Sequence, residues 1–129
     1  MKLQSRVLLS FAGLSLLCAT TCGAVASHVL TGLDERSMHS FETAVQFQFF
    51  HGLGLIGVVL ASERGIGGRI LDAVAWLFVA GIALFCGSIY AATFGASRGV
   101  LSLAPYGGVA LMLGWLLFAA SPWLRAKNG

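Results

Sequence analysis

Residues 41–61 read FETAVQFQFFHGLGLIGVVLA, and this stretch decides the fold. As a helix rising about 1.5 Å per residue it matches the roughly 30 Å hydrocarbon core of a bilayer. Its second half, Leu53 to Ala61, is wholly apolar, while Glu42, Thr43, Gln46, Gln48 and His51 crowd into the ten residues 42–51. Hydrocarbon offers those groups no hydrogen-bond partner, so each would cost kilocalories if it faced lipid. The pattern therefore predicts a membrane helix whose polar side chains turn towards partner helices or a hydrated cavity.

Outward from that stretch the chain supplies the partners. Apolar runs from about Val7 to His28, Ile70 to Gly95 and Leu103 to Trp123 flank it, and nearly all charge falls between them. The segments Thr31 to Ser40, Ser62 to Arg69 and Ala96 to Ser102 read as connectors, and connections this short make consecutive helices antiparallel neighbours. The expected architecture is an all-α integral membrane protein, one domain over residues 1–129, with spans at about 7–28, 41–61, 70–95 and 103–123. Composition agrees. Mean hydropathy is +0.87 and only 10% of residues are charged, against roughly 25% in a soluble domain. A separate soluble catalytic domain is excluded by length alone.

The eight Lys and Arg form no patch for nucleic acid. They sort by side instead. Lys2, Arg6, Arg64, Arg69, Arg125 and Lys127 fall at one end of the bundle, and Arg36 and Arg98 at the other. The positive-inside rule places both termini in the cytoplasm, as expected of a multi-pass protein with an even number of spans. Trp76 and Trp123 then fit as interfacial anchors, whereas Trp115 lies deep enough to need a packing or hydrogen-bonding reason.

The amino terminus has a competing reading. Lys2 and Arg6, an apolar run and Ala24-Val25-Ala26 resemble a secretory signal cleaved after Ala26. The apolar run is longer than such signals carry, so the expectation is a retained first span. Cys18, Cys22 and Cys86 all fall within spans and read as small buried thiols; Cys18 and Cys22 stand one turn apart without further metal ligands at their depth.

Small residues recur every fourth position as Ser15, Ala19, Gly23 and Ser27 in the first span and as Ala83, Gly87, Ala91 and Gly95 in the third. Such stripes let backbones approach closely, although a chain this rich in Gly, Ala and Ser produces some by chance. The fourth span opens with Pro105, Tyr106, Gly107 and Gly108, and proline suits a first helical turn. Gly107, Gly108 and Gly114 join the candidate packing positions.

Counting from Phe41, Gln48 lies roughly 10 Å deep and His51 roughly 15 Å, near the midplane. Ser88, Tyr90 and Trp115 reach similar levels from the third and fourth spans. Glu42, Gln46, Gln48, His51, Ser88, Tyr90 and Trp115 thus form a candidate polar cluster in one half of the membrane. Gln48 and His51 share one helix face, and Glu42 and Gln46 another. For His51 the plain expectation is a neutral imidazole bonded to Tyr90, Ser88 or a backbone carbonyl, with a proton or ligand role as the alternative. Glu42 is expected to pair with Arg36, Arg98 or His39, or to cap the second helix. A haem held by His51 and His28 would need ligands at matching levels, yet these differ by about 10 to 15 Å. No cofactor or metal is expected.

Four segments together resemble the YgdD-like family of small bacterial inner-membrane proteins (domain of unknown function 423), which is related to a mitochondrial and animal transmembrane group. They are 23–28, Thr43 to His51, Leu84 to Tyr90, and Pro105 through Trp115. The family pattern falls on His28, Thr43, Ala44, Gln48, His51, Ser88, Tyr90, Pro105, Gly107, Gly108, Gly114 and Trp115. The chain departs from it at Val25-Ala26-Ser27, Phe47 and Cys86. The resemblance implies four helices and no established enzymatic activity.

The leading functional expectation is a non-enzymatic accessory subunit or assembly factor that associates in the bilayer with another integral membrane protein or with itself. A minimal homo-oligomeric transporter lined by Gln48, His51, Ser88 and Tyr90 is the alternative, but it lacks a polar path through Leu53 to Ala61. A haem or quinone redox subunit is the third.

Overall fold

The computed structural model describes residues 1–124; Arg125 and Lys127, counted above among the cations of one end, lie outside them. Four helices long and apolar enough to cross a membrane make up the described chain: Leu3–His28, Glu35–Glu63, Arg69–Thr93 and Arg98–Leu124. The second lies at the centre, packed between the first and third, while the fourth lies along the third. The central core joins Leu8 and Ala12 of the first helix, Leu55, Val58 and Val59 of the second, Leu71, Val74, Ala75 and Phe78 of the third, and Leu111 of the fourth.

Several boundaries differ from expectation for local reasons. The segment 31–40 is not all loop: Asp34, in extended backbone, accepts a hydrogen bond from the Ser37 amide at 3.2 Å and starts the second helix at Glu35. An aspartate at this position satisfies a first-turn amide that has no partner within the helix. Glu42 is therefore not the cap. The third span ends at Thr93 rather than Gly95, and Gly95, with φ of 109°, forms the turn beyond it. That backbone conformation suits glycine and removes Gly95 from any helix-packing stripe. A 3₁₀ turn, Arg98–Leu103, leads into the α-helical part of the fourth span, Ala104–Leu124, so Pro105 does stand in its first turn.

Within the third helix, Ile82–Cys86 forms a π-helical turn, and the Gly87 amide reaches back to the Ile82 carbonyl. A wide turn admits one extra residue and changes which side chains face each neighbour. Here it lies beside the tightest helix crossing. A side chain on Gly107 would meet the backbone and Cβ of Phe85, and one on Gly114 would meet the Phe78 ring at 2.5 Å. Gly81 from the third helix likewise has no room for a side chain, facing Leu111 and the Gly107 carbonyl. The third and fourth helices thus pack backbone to ring and backbone to backbone, which large residues at these positions would prevent.

At the end bearing the amino terminus, the Ser5 hydroxyl donates to the Glu63 carboxylate, and the Lys2 amide approaches the same oxygen at 3.4 Å. The Ser62 hydroxyl donates to Asp72 at 2.8 Å, tying the second helix to the third across the tight turn between them. Gly67, at φ of 71°, makes that turn under Leu71 and Ser121.

Candidate functional site: an intramembrane polar network

The second helix presents Gln48 and His51 to different neighbours. Gln48 is only 5% exposed; its Nε2 donates to the Ser15 hydroxyl of the first helix at 3.1 Å, and its Oε1 accepts from the Tyr90 hydroxyl of the third at 2.7 Å. One side chain thereby joins three helices. Its amide polarity matches this: the carbonyl needs a donor, which the phenol supplies, and the amine needs an acceptor, which the serine supplies.

His51, 6% exposed, closes a second set of bonds. Its Nδ1 lies 2.7 Å from the Phe47 carbonyl, one turn earlier on the same helix. A carbonyl only accepts, so Nδ1 carries the proton and Nε2 is left with a lone pair. The Trp115 indole N–H of the fourth helix donates to that lone pair at 2.9 Å. Trp115 thus has the hydrogen-bonding reason its depth demanded. Phe78 packs on both rings, with centroids 5.4 Å from His51 and 4.8 Å from Trp115, while Gly54 leaves space for the indole. Beside this group the Cys86 thiol donates to the Ala44 carbonyl at 3.2 Å, and Phe47 stacks on Phe85 with centroids 4.8 Å apart.

The network is closed. Among the described residues no buried side-chain nitrogen or oxygen lacks a hydrogen-bond partner. Both ring nitrogens of His51 are engaged, so neither is open to a metal, a haem iron or a transferable proton without breaking a bond between helices. Among the described residues there is also no group of three His, Cys, Asp or Glu side chains placed to hold a metal. Of the three cysteines expected to be buried only Cys86 is; Cys18 is exposed and Cys22 half-buried on the outer side of the first helix, their sulfurs 4.0 Å apart.

Of the seven cluster candidates, Gln48 pairs with Tyr90 and His51 with Trp115. Ser88 is buried but bonds back to the Phe85 carbonyl of its own helix at 3.0 Å, because its hydroxyl finds that acceptor within one turn. Gln46 is exposed on the face of the second helix turned away from the core. Glu42 is also exposed, at the end of the bundle, where it lines a shallow depression with Arg36 and His39. Ser15, read from sequence only as a small packing residue, proves to be a network member.

Of the packing candidates, Ser15 and Ala19 are buried against the second helix and Gly23 faces Val45, while Gly107, Gly108 and Gly114 meet Phe85 or Phe78. Ala83 and Gly87 instead lie exposed on the outer surface of the bundle, with nothing within 4 Å of a side chain placed at Gly87, and Ala91 is half-buried. The third-helix stripe therefore does not serve packing within this chain, because the helix turns its Phe78, Gly81 and Ile82 side inward instead.

Fold and network together define a multi-pass, four-helix membrane protein in which Gln48 and His51 bond side chains of neighbouring helices. The chain belongs to the family described as protein of unknown function (DUF423), whose profile matches residues 22–108. It is 31% identical to the UPF0382 inner membrane protein YgdD of Escherichia coli K12 over 98% of this chain and 97% of that one. It is 32% identical to a UPF0382 membrane protein of Haemophilus influenzae over 86% of this chain and 89% of that one. With the UPF0382 membrane protein YwdK of Bacillus subtilis it shares 28% identity over 90% of its own length and 95% of the other. No solved structure matches the chain.

Proposed function

We propose that this chain is a non-enzymatic accessory subunit or assembly factor, lodged in the bacterial cytoplasmic membrane with both termini inside and associating laterally with a larger membrane complex. The observation that carries this reading is the closure of the Gln48 and His51 networks. A catalytic or transporting histidine needs a free nitrogen facing substrate or water, whereas here each bond joins one helix to another or to its own backbone. Such groups fix helix register. The inner half of the second helix supplies Leu55, Val58 and Val59 to a dry core, which offers no route for a solute. Ala83 and Gly87 give the bundle a small-residue surface on which another helix could lie close. The cytoplasmic membrane is supported by the likeness to YgdD, an inner membrane protein of Escherichia coli.

The test is capture of the tagged full-length protein in mild detergent, with mass spectrometry and an absorption spectrum of the eluate. A stoichiometric larger membrane complex without chromophore absorption is the expected result. A homo-oligomer with no partner would overturn the accessory role and direct attention to solute flux.

A further inference from the structure

The end of the bundle opposite the amino terminus contains a cavity of about 490 Å³, between the start of the second helix, the end of the third and the 3₁₀ turn before the fourth. Ile89, Ala92 and Leu101 give it an apolar floor, while Arg36, Ser40 and Arg98 line its polar side. Arg36 stands five residues before Phe41, which places it roughly 7 Å above the start of the apolar run, at the level of lipid headgroups. Asp34 also lines the cavity, but its carboxylate already serves as the cap. The Ser37 hydroxyl and amide, with Arg98 nearby, hold that carboxyl below its usual range, so it stays ionised. Two guanidinium groups against one carboxylate leave a single net positive charge.

The neighbouring depression, about 990 Å³, makes the contrast. Asp34 and Arg36 line both, but there Glu35 and Glu42 are added and Arg98 is not, so carboxylates outnumber guanidinium groups. A cationic rim above an apolar floor, at the membrane boundary, suits a ligand that is anionic at one end and greasy at the other. We propose that the smaller cavity binds the phosphate ester of an anionic phospholipid, Arg36 and Arg98 holding the phosphate and Ile89, Ala92 and Leu101 the glycerol and first acyl carbons. Arginine suits this because its planar fork matches phosphate oxygens in pairs. The site lies apart from the Gln48 and His51 network and is independent of the accessory role.

Native mass spectrometry of the delipidated full-length protein in detergent tests this, with phosphatidylglycerol, phosphatidylcholine and inorganic phosphate added separately. The expected result is retention of phosphatidylglycerol about tenfold stronger than phosphatidylcholine, whose phosphate is the same but whose choline cation the two guanidinium groups repel, and a comparable loss in the double variant R36Q/R98Q. Ala92→Trp, which fills the floor and keeps both charges, should lose the lipid too. Both arginines are exposed, so the double variant should keep its helicity by circular dichroism. If it does not, the single variants R36Q and R98Q carry the comparison, each with a partial loss expected. Equal retention of phosphatidylglycerol by wild type and arginine variants would overturn the site. Displacement of the lipid by inorganic phosphate, with Ala92→Trp unaffected, would overturn the lipid as occupant and assign the arginines to a free anion.

Discussion

Trp115→Phe removes a hydrogen-bond donor together with the outer part of the indole that lies over Gly54, and the double-variant cycle separates the bond from the lost packing. The phenyl ring can keep the contact with Phe78, whose centroid lies 4.8 Å from the indole, but His51 Nε2 loses its partner 2.9 Å away. An acceptor stranded in a site only 6% exposed costs about 1–2 kcal/mol, towards the low end in a membrane protein because the unfolded chain also finds partners in the bilayer. His51→Phe strands the indole N–H instead and should cost a similar amount. The double variant leaves neither group unpaired, so it should be less destabilised than the sum of the singles by about 1 kcal/mol. Reversible unfolding in mixed micelles, followed by circular dichroism, measures all four corners of this cycle. Strictly additive single variants would refute the claim that this bond contributes to the bundle.

Tyr90→Phe strands Gln48 Oε1 and should cost about 1 kcal/mol by the same unfolding assay, while Gln48→Leu should loosen contacts to both the first and third helices. Gly107→Val should destabilise by about 1–3 kcal/mol or abolish folding, because the new side chain meets the Phe85 backbone. Gly87→Val, where nothing lies within 4 Å, should leave the melting temperature of the isolated protein almost unchanged and, on the accessory reading, reduce partner capture. At the cap, a depressed Asp34 pKa means that its contribution is complete above the usual carboxyl value of 3.8 and is lost as pH falls through the lower folded value. The Ser37 amide chemical shift followed by NMR through that range should report the loss, and Asp34→Ala should abolish the titration.

Much of this fold was legible because lipid leaves the backbone few choices. Polarity confined to one half of the 41–61 stretch implies inward-facing groups, which holds for Gln48 and His51 but not for Glu42 and Gln46, which lie exposed; the depth count brings His51 and Trp115 to one level. The pairing within the cluster was less legible. Helical spacing places Gln48 and His51 on one face, but which neighbour each meets depends on helix rotation, and the π turn at Ile82–Cys86 shifts the third helix in a way no periodicity reveals. The same rotation explains the third-helix stripe: Ala83 and Gly87 recur at the right interval, yet Gly81 and Phe78 face the fourth helix. The signal available for that crossing lay in Gly107 and Gly114, seven residues apart, a two-turn repeat that implies a facing ridge on another helix. Asp34 was legible as a cap by residue type, but the polar run around it favoured reading a loop.

The central claim is that the bonds of Gln48 and His51 are closed and structural. Nitrogen-15 NMR of the His51 imidazole, in protein reconstituted in lipid at neutral pH, tests it most directly. The account predicts a neutral ring protonated at Nδ1, with an Nε2 shift that moves on Trp115→Phe. A ring protonated at Nε2, or one whose signal ignores that substitution, would contradict it.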